Sequence, residues 1–427
     1  MIWLLGGYMW LFIHRPFEVW PVLGTLQIER MYMIAVLVFW LFSPKGLVLN
    51  RNHGVTALFS IFLFMSWILS PYMDAKSCSE TIEDYFKVLV FYILMSTTVR
   101  DERSLKLLIT LFLGAVGLYM AHSFWEFLCG RYQYRMGIRR MIGVDTTFGD
   151  PNTFASSLLY TVPLALSLWA TKPGILMRRL LGGYLLGVCM CVVLTGSRTG
   201  FVGLCICGLL TLLLSVRRKA LVLVMGGLGG VMVLGVAAVA LPSELQNRYL
   251  TIIDPSYGPK NAAVSANSRL EFFLEAVRAW QRSPVIGHGP RSFDVIGGHK
   301  MGSHNLYGQV LCEMGVLGAL AFAAYVVCFL LNWLEVRRYY REQPEQSRDF
   351  LFHLSRNLAV LLVLLLLCGF AGHSLYRYNW RWFAAFQAIA VHCIRKRQQG
   401  AFAADAADAA DELPYLHRHQ TLAENFV

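Results

Sequence analysis

The chain has 427 residues, of which 56% are hydrophobic and only 15% are charged. Soluble proteins average about 25% charged residues, so this composition excludes a soluble enzyme, a disordered chain, a coiled coil and a secreted disulfide scaffold. The net charge of +12 does not indicate nucleic-acid binding, because most Lys and Arg residues lie in short clusters between apolar segments. The composition is that of a polytopic membrane protein.

The apolar segments predict an all-α protein with about twelve membrane-spanning helices, since each span needs about 20 mostly apolar residues. Alternate loops carry the Lys and Arg clusters, so the positive-inside rule places those loops and both termini in the cytoplasm. The longest loop is then periplasmic. The predicted regions are helices one to nine in 1–241, a large periplasmic loop in 242–304, helices ten to twelve in 305–395, and a disordered cytoplasmic tail in 396–427.

Three of the predicted helices that start at the periplasmic face have unusual first residues. The sixth has Asp150 as a candidate N-cap and Pro151 in its first turn. The eighth starts next to Gly196 and Ser197, where Ser197 can act as a cap, and the tenth starts at 303–305. A helix N-terminus carries partial positive charge and free N–H groups. If the bundle brings these ends together, they form a cationic pocket. For the sixth helix, a simpler explanation of its first residues is that they favour helix initiation.

Within the large loop, residues 268–283 predict an amphipathic helix that lies on the outer membrane interface or over a cavity mouth. Ser268 and Glu271 form a capping-box pattern at its start, and Pro284 follows its end. The apolar residues that share one face at helical spacing are Leu270, Phe273, Leu274, Val277 and Trp280.

Arginine residues on the predicted periplasmic side outnumber the nearby carboxylates. Arginine at or in a membrane costs free energy unless it is paired, and its planar guanidinium suits phosphate. We therefore expect some of these arginines to bind an external anion. For any single arginine, snorkelling or an ion pair with a loop carboxylate is the alternative. Arg198 lies at the start of the eighth span, and the free-energy cost of an arginine at this position favours a functional role for it.

His304 is the candidate general base. It lies at the predicted start of helix ten, where the positive helix end disfavours the imidazolium and lowers the pKa of the ring. A neutral imidazole can accept a proton near neutral pH. A structural, hydrogen-bonded histidine is the alternative. Weaker candidates on the same side are His288, His299 and His373.

Several of these elements resemble the O-antigen ligase and Wzy-type polymerase superfamily. Residues 195–200 (TGSRTG) are similar to the opening of its ligase domain. Residues 269–290 are similar to its loop pattern of Arg, Trp, Pro and Gly-x-Gly, and 303–318 to its His-Asn and Glu-x-Gly-x-x-Gly helix start. Asp150-Pro151-Asn152 is similar to an upstream element, so the resemblance covers roughly 149–330.

The resemblance implies a metal-independent glycosyltransferase of the bacterial inner membrane, with its active site facing the periplasm. It implies transfer of a glycan from undecaprenyl diphosphate to lipid A–core or to another lipid-linked glycan, with inversion at the anomeric carbon. Carried over by position, Arg198 and Arg269 would bind the diphosphate and His304 would activate the acceptor hydroxyl. Membrane lipids are the other expected partners, and no metal, cofactor or nucleic acid is expected. Further candidates for binding donor or acceptor are Arg139, Arg140, Arg291, Arg377 and Arg381.

The sequence leaves other functions open. A polymerase and a protein O-glycosylating ligase share the donor and the chemistry and differ only in the acceptor. A transporter or flippase for an anionic lipid-linked substrate would favour discontinuous helices at the bilayer midplane and internal repeats; the polar features here lie at the outer face, without a repeat. A structural membrane subunit is the remaining alternative.

Overall fold

The computed structural model is a bundle of α-helices with one short antiparallel hairpin. It describes residues 1–135, 137–215, 242–254, 261–297, 303–343 and 349–423. Through the hairpin, the elements are α1 (Ile2–His14), α2 (Pro16–Val19), α3 (Pro21–Thr25), α4 (Ile28–Phe42), α5 (Arg51–Ile68), α6 (Lys76–Thr98), α7 (Glu102–Leu128), β1 (Gln133–Arg135) and β2 (Ile138–Arg140). They are followed by α8 (Pro151–Leu159), α9 (Val162–Ala170), α10 (Ile175–Leu194), α11 (Arg198–Ser215), α12 (Ser243–Leu250), α13 (Asn261–Trp280), α14 (Ser292–Ile296), α15 (Leu306–Glu342), α16 (Phe350–Gly369) and α17 (Tyr378–Ala423).

Five described helical segments are long and apolar enough to cross a membrane. They are Glu102–Leu128, Pro151–Ala170, Ile175–Leu194, Leu306–Glu342 and Phe350–Gly369. A multi-pass helical membrane protein is therefore confirmed. The count of twelve spans and the periplasmic side of the 242–304 loop stay predictions, and the predicted ninth span, 220–241, lies outside the described residues.

The first part of α17 is the centre of the bundle. Trp382 and Phe383 are fully buried, because residues 382–391 are apolar except for Gln387, and a helix that is apolar on nearly all sides is buried. The Trp382 ring centroid lies 5.4 Å from Phe12 of α1, 4.8 Å from Phe91 of α6 and 6.1 Å from Phe112 of α7. This packing fixes the start of α17, and with it the loop that connects α16 to α17.

Two helices extend beyond their predicted boundaries. The helix α13 starts at Asn261, so the predicted capping box is wrong, because Ser268 and Glu271 lie inside the helix. The helix α17 continues to Ala423, through most of the segment 396–427 that was predicted to be disordered. That segment is rich in alanine, the residue with the highest helix propensity.

The helix α13 packs through a different face from the one its apolar pattern indicates. Among the side chains described in this helix, residues 269–280, Ala276 and Ala279 are buried, whereas Leu270 and Leu274 are 61% and 45% exposed. The small Ala276 allows close approach to α15, since a Cβ built on Gly308 would lie 3.1 Å from the Cβ of Ala276. The exposed leucines leave an apolar face that suits a membrane interface.

The helix α15 is broken at Gly315, and the loop before α14 is docked into the break. Gly315 has a φ of 62°. Residues 284–289 exchange backbone hydrogen bonds of 2.9–3.1 Å with α15 on both sides of the break. The loop and the helix both need glycine where they meet. A Cβ on Gly287 would lie 2.4 Å from the carbonyl carbon of Glu313, and a Cβ on Gly315 would lie 2.4 Å from the carbonyl oxygen of Val285. The break thus anchors the loop that leads to Arg291.

Candidate active site

Arg140 joins the starts of two helices. Its Nε donates a 2.7 Å hydrogen bond to the carbonyl oxygen of Thr195, just before α11, and its Nη2 donates a 2.9 Å bond to Oδ1 of Asn152 in α8. The side chain is 3% exposed. Burial lowers the pKa of Arg140, while Asp150 raises it. We call the end of the bundle where α8, α11 and α15 begin the site end.

The N-caps predicted for α8 and α11 are confirmed. Asp150 accepts hydrogen bonds from the N–H groups of Asn152 and Thr153 at 3.0 and 3.3 Å, and Ser197 accepts one from Gly200 N–H at 3.3 Å. Asn305 caps α15 in the same way, at 2.9 and 3.0 Å. Because these side chains already accept first-turn N–H groups, the nearby guanidinium groups are the main donors available to an anion.

Four guanidinium groups meet at the site end: Arg140, Arg198, Arg248 and Arg269, here called the arginine cluster. Burial, together with the charges of the other three arginines, lowers the pKa of Arg248 to about 10. Burial and the neighbouring Arg198 likewise lower the pKa of Arg269. Arg198 donates to Oγ1 of Thr251 at 3.4 Å. The concentration of like charge favours binding of a multiply charged anion, which would relieve this repulsion.

Arg248 belongs to the arginine cluster, although it was not among the candidate site residues. It is 7% exposed, and its Nε donates to the carbonyl oxygen of Gly196 at 3.4 Å. The neighbouring Tyr249 holds α12 against the bundle, since its hydroxyl donates to the carbonyl oxygen of Val193 at 2.8 Å and its ring lies 4.7 Å from Phe201. In the sequence, Arg248 is one of several arginines of the predicted periplasmic loop, and nothing in its local sequence distinguishes it from the others.

His304 lies beside the arginine cluster. Its ring centroid is 5.3 Å from that of His373 and 6.3 Å from that of Phe272. Burial lowers the pKa of His304, and the charges of Arg269 and Arg291 lower it further. The imidazole is therefore uncharged near neutral pH and can accept a proton. The position at a helix end predicts a lowered pKa for His304, and in the structure burial is the largest cause of the shift.

The three weaker histidine candidates have different positions. The Nε2 atom of His288 forms a 2.9 Å hydrogen bond with the carbonyl oxygen of Ala279, which ties the docked loop to α13. His299 lies outside the described residues. His373 lies in the loop between α16 and α17, and its buried Nδ1 makes no hydrogen bond within the described part of the chain. Burial, followed by the charge of Arg291, holds the pKa of His373 well below its usual value.

A cavity of about 470 Å³ opens beside His373, and we call it the His373 cavity. Arg291 and Arg377 line it. Arg377 donates from Nη2 to Oγ1 of Thr153 at 3.0 Å, and its guanidinium lies 5.5 Å from the centroid of the Phe148 ring. His373 therefore lines the cavity, while its neighbour His304 is within reach of the charge of Arg269 in the arginine cluster.

The remaining two candidate arginines, Arg139 and Arg381, contact aromatic side chains. Arg139 is exposed on β2, with its guanidinium 5.1 Å from the Tyr132 ring. Arg381 is 3% exposed in an aromatic environment: its Nε donates to the Tyr85 hydroxyl at 3.2 Å and its guanidinium lies 4.4 Å from the Phe59 ring. The substrate-binding role of these two arginines stays a prediction. Within the described ranges, no group of three or more His, Cys, Asp and Glu residues could hold a metal ion.

The fold and the site define a multi-pass helical membrane protein with buried guanidinium groups beside an uncharged histidine. Residues 182–323 match the family model described as O-antigen ligase, which confirms the resemblance to the O-antigen ligase and Wzy-type polymerase superfamily. The match includes Arg198, Arg269 and His304, whereas Arg140 lies outside it. No curated protein matches the chain.

Proposed function

We propose that the protein is a glycosyltransferase of the bacterial inner membrane that acts in lipopolysaccharide assembly. It transfers a glycan from undecaprenyl diphosphate to a hydroxyl group of lipid A–core at the periplasmic face. The observation that carries this proposal is the position of His304 next to the arginine cluster. A diphosphate leaving group requires fixed positive charge, and an acceptor hydroxyl requires a base, and both kinds of group meet here.

The arginine cluster suits the leaving group. As the bond between the anomeric carbon and the phosphate oxygen breaks, its electron pair moves to the diphosphate. In this mechanism the charges of Arg198 and Arg269 stabilise that oxygen, and because both side chains are half-buried, the attraction is stronger than it would be in water. Arg140 acts as a positioning residue, because it holds the starts of α8 and α11 together. Arginines thereby provide the charge that a divalent cation provides in other glycosyltransferases.

His304 suits the acceptor. The acceptor oxygen attacks the anomeric carbon on the face opposite the diphosphate, so the configuration inverts. The hydroxyl proton passes to a ring nitrogen of His304, which is uncharged at neutral pH because its pKa is lowered. Proton transfer to a positioned base contributes about 10²–10⁴-fold to such reactions. The neighbouring His373 orients the His304 ring, since the two ring centroids are 5.3 Å apart.

In vitro transfer tests the proposal directly. Purified protein is incubated with undecaprenyl-diphosphate glycan and lipid A–core, with and without a chelator. We expect glycan on lipid A–core in both conditions. Loss of transfer with chelator would refute the metal-independent mechanism, and absence of transfer in both conditions, with folded protein, would refute the ligase function.

A Wzy-type polymerase is the second candidate, because the matching family belongs to a superfamily that includes both activities. The donor and the site would be the same, and the acceptor would be another lipid-linked glycan. A deletion strain distinguishes the two. Long chains that are not attached to lipid A–core indicate a ligase, whereas short lipid-linked repeats indicate a polymerase.

A further inference from the structure

One residue that lines the His373 cavity comes from the beginning of the chain, far in sequence from the segment 182–323 that matches the family. Arg15 lies in the turn between α1 and α2, is 8% exposed and lines the cavity. Its guanidinium is 5.5 Å from the centroid of the Phe148 ring, the same distance as that of Arg377. Two guanidinium groups from opposite ends of the sequence thus approach one aromatic ring inside the cavity.

Arg15 is held in place by a carboxylate that is itself fully engaged. Its Nε forms an ion pair with Glu18. Glu18 also accepts hydrogen bonds of 2.7–3.2 Å from the backbone and hydroxyl groups of Thr146 and Thr147. Although burial raises it, Arg15 and the threonines bring the pKa of Glu18 to about 2. The carboxylate is therefore charged at neutral pH, and it holds Arg15 in place before a ligand binds.

The wall formed by α6 has a different chemistry. It presents the carboxylates of Glu80, Glu83 and Asp84, together with Lys87, to the cavity. Lys87 pairs with Glu83 at 3.3 Å and with Asp84 at 3.4 Å. Carboxylates accept hydrogen bonds from hydroxyl groups, and they repel a ligand that carries several negative charges. This wall suits a polyhydroxylated ligand with few negative charges.

We propose that the His373 cavity binds the acceptor saccharide, and that Arg15, Arg291 and Arg377 hold an anionic substituent on it. This inference rests on the proposed function, because the acceptor hydroxyl must reach His304. The donor diphosphate, with its higher charge, occupies the arginine cluster beside His304. The cavity volume of about 470 Å³ lies within the range of small-ligand pockets, about 300–1,000 Å³, and Phe148 provides an aromatic face for a sugar ring.

Binding of simple sugars tests the inference without requiring transfer. The full-length protein in nanodiscs is titrated with glucose, glucose 6-phosphate and glucuronic acid by saturation-transfer NMR. We expect at least one of the anionic sugars to bind about tenfold more tightly than glucose, and the comparison between the two shows whether phosphate or carboxylate is preferred. Equal affinities for all three sugars would overturn the proposal.

Three variants locate the binding. Arg15→Gln should abolish the preference for anionic sugars, whereas the matched control Arg282→Gln, at an exposed arginine after α13, should retain it. Thr81→Trp should fill the cavity from α6 and abolish binding of all three sugars. Because Thr81→Trp leaves the ion pair of Arg15 intact, it remains informative if Arg15→Gln does not fold. Unchanged binding in Thr81→Trp would show that the sugars bind elsewhere, against the proposal.

Kinetics separate acceptor from donor. Arg15→Gln should raise the KM for lipid A–core about tenfold and leave the KM for undecaprenyl-diphosphate glycan unchanged. A raised donor KM with an unchanged acceptor KM would assign the cavity to the donor and refute the inference. Absence of transfer in the wild-type protein is a separate result, which refutes the proposed function whatever sugars the cavity binds.

Discussion

Nη2 of Arg140 donates a hydrogen bond to Oδ1 of Asn152 across 2.9 Å, while the same guanidinium holds the carbonyl oxygen of Thr195. One side chain thus connects the hairpin with two helices that start at the site end. Arg139, the preceding residue, is exposed and makes its contact with Tyr132 instead. Neighbouring arginines in one strand therefore have different environments, which provides a matched pair for mutagenesis.

Replacing Arg140 by alanine should destabilise the protein, because the buried carbonyl of Thr195 and the half-buried amide oxygen of Asn152 lose their donor. Each such loss costs about 1–3 kcal/mol. Arg139→Ala should leave stability nearly unchanged, as substitutions at exposed positions usually do. Thermal unfolding of both variants, followed by tryptophan fluorescence, measures the difference. Equal unfolding temperatures for the two variants would show that Arg140 does not hold the helix starts.

His304→Ala should lower the rate of transfer by at least about 100-fold, since it removes the proposed base. The control is His392→Ala, which removes a histidine farther along α17, away from the site end. Expression and unfolding temperature should match the wild type in both variants. Near-normal transfer by the His304 variant would eliminate its role as a base.

The pH profile of transfer should reflect the lowered pKa of His304. The unprotonated ring is the active form, so activity should persist as the pH falls below the ordinary histidine value of about 6.5, and should decline only through the lowered pKa. Arg269→Gln removes one of the charges that lower it, so the acidic limb of kcat/KM should move to higher pH. Arg278→Gln, at an exposed position of the same helix, should not move it. Identical acidic limbs in both variants would contradict this electrostatic link.

Arg198→Ala should weaken use of the donor more than Arg198→Lys. Lysine retains the positive charge but cannot form the two parallel hydrogen bonds that a guanidinium offers to phosphate. The measurement is the donor KM in the transfer assay. Two silent substitutions would mean that Arg198 only supports the structure around Thr251, to which it donates a hydrogen bond.

Gly315→Ala and Gly287→Ala should each destabilise the docked loop. Both positions have positive φ, and an added Cβ would lie 2.4 Å from backbone atoms of the facing segment. Backbone strain of this kind costs about 1–3 kcal/mol. Gly208→Ala in α11 is the control, because nothing lies within 4 Å of its Cβ position; alanine there should be neutral or stabilising. Similar unfolding temperatures for all three variants would show that the break tolerates a side chain.

Local features of the site could be predicted from the sequence, because their causes are local. Asp150 and Ser197 act as caps through contacts within three residues along the chain, so spacing alone indicated them. The face by which α13 packs could not be predicted in this way. Hydrophobicity predicts that α13 packs through the side of Leu270. In the structure it packs against α15 through Ala276 and Ala279, because these small residues allow the two helices to approach closely.

Contacts between distant segments left no recognisable signal. Arg15 resembles any arginine at the end of a membrane helix, and only the folded chain brings it to Phe148 and Arg377. The environment of Arg381 is built from aromatic residues of separate helices, including Phe59 and Tyr85. A single sequence gives the identity of such residues but not the register of the helices that carry them.

The composition of the His373 cavity bears on how related proteins diverge. Its acidic wall and Arg15 come from the first hundred residues, whereas the proposed base and diphosphate ligands come from the segment that matches the family. Mutations in the amino-terminal helices can then change which acceptor sugar binds, while the proposed catalytic residues stay the same. Chimeras that exchange these helices between homologues should therefore take on the acceptor specificity of the protein that provides the helices, and they should keep their transfer activity.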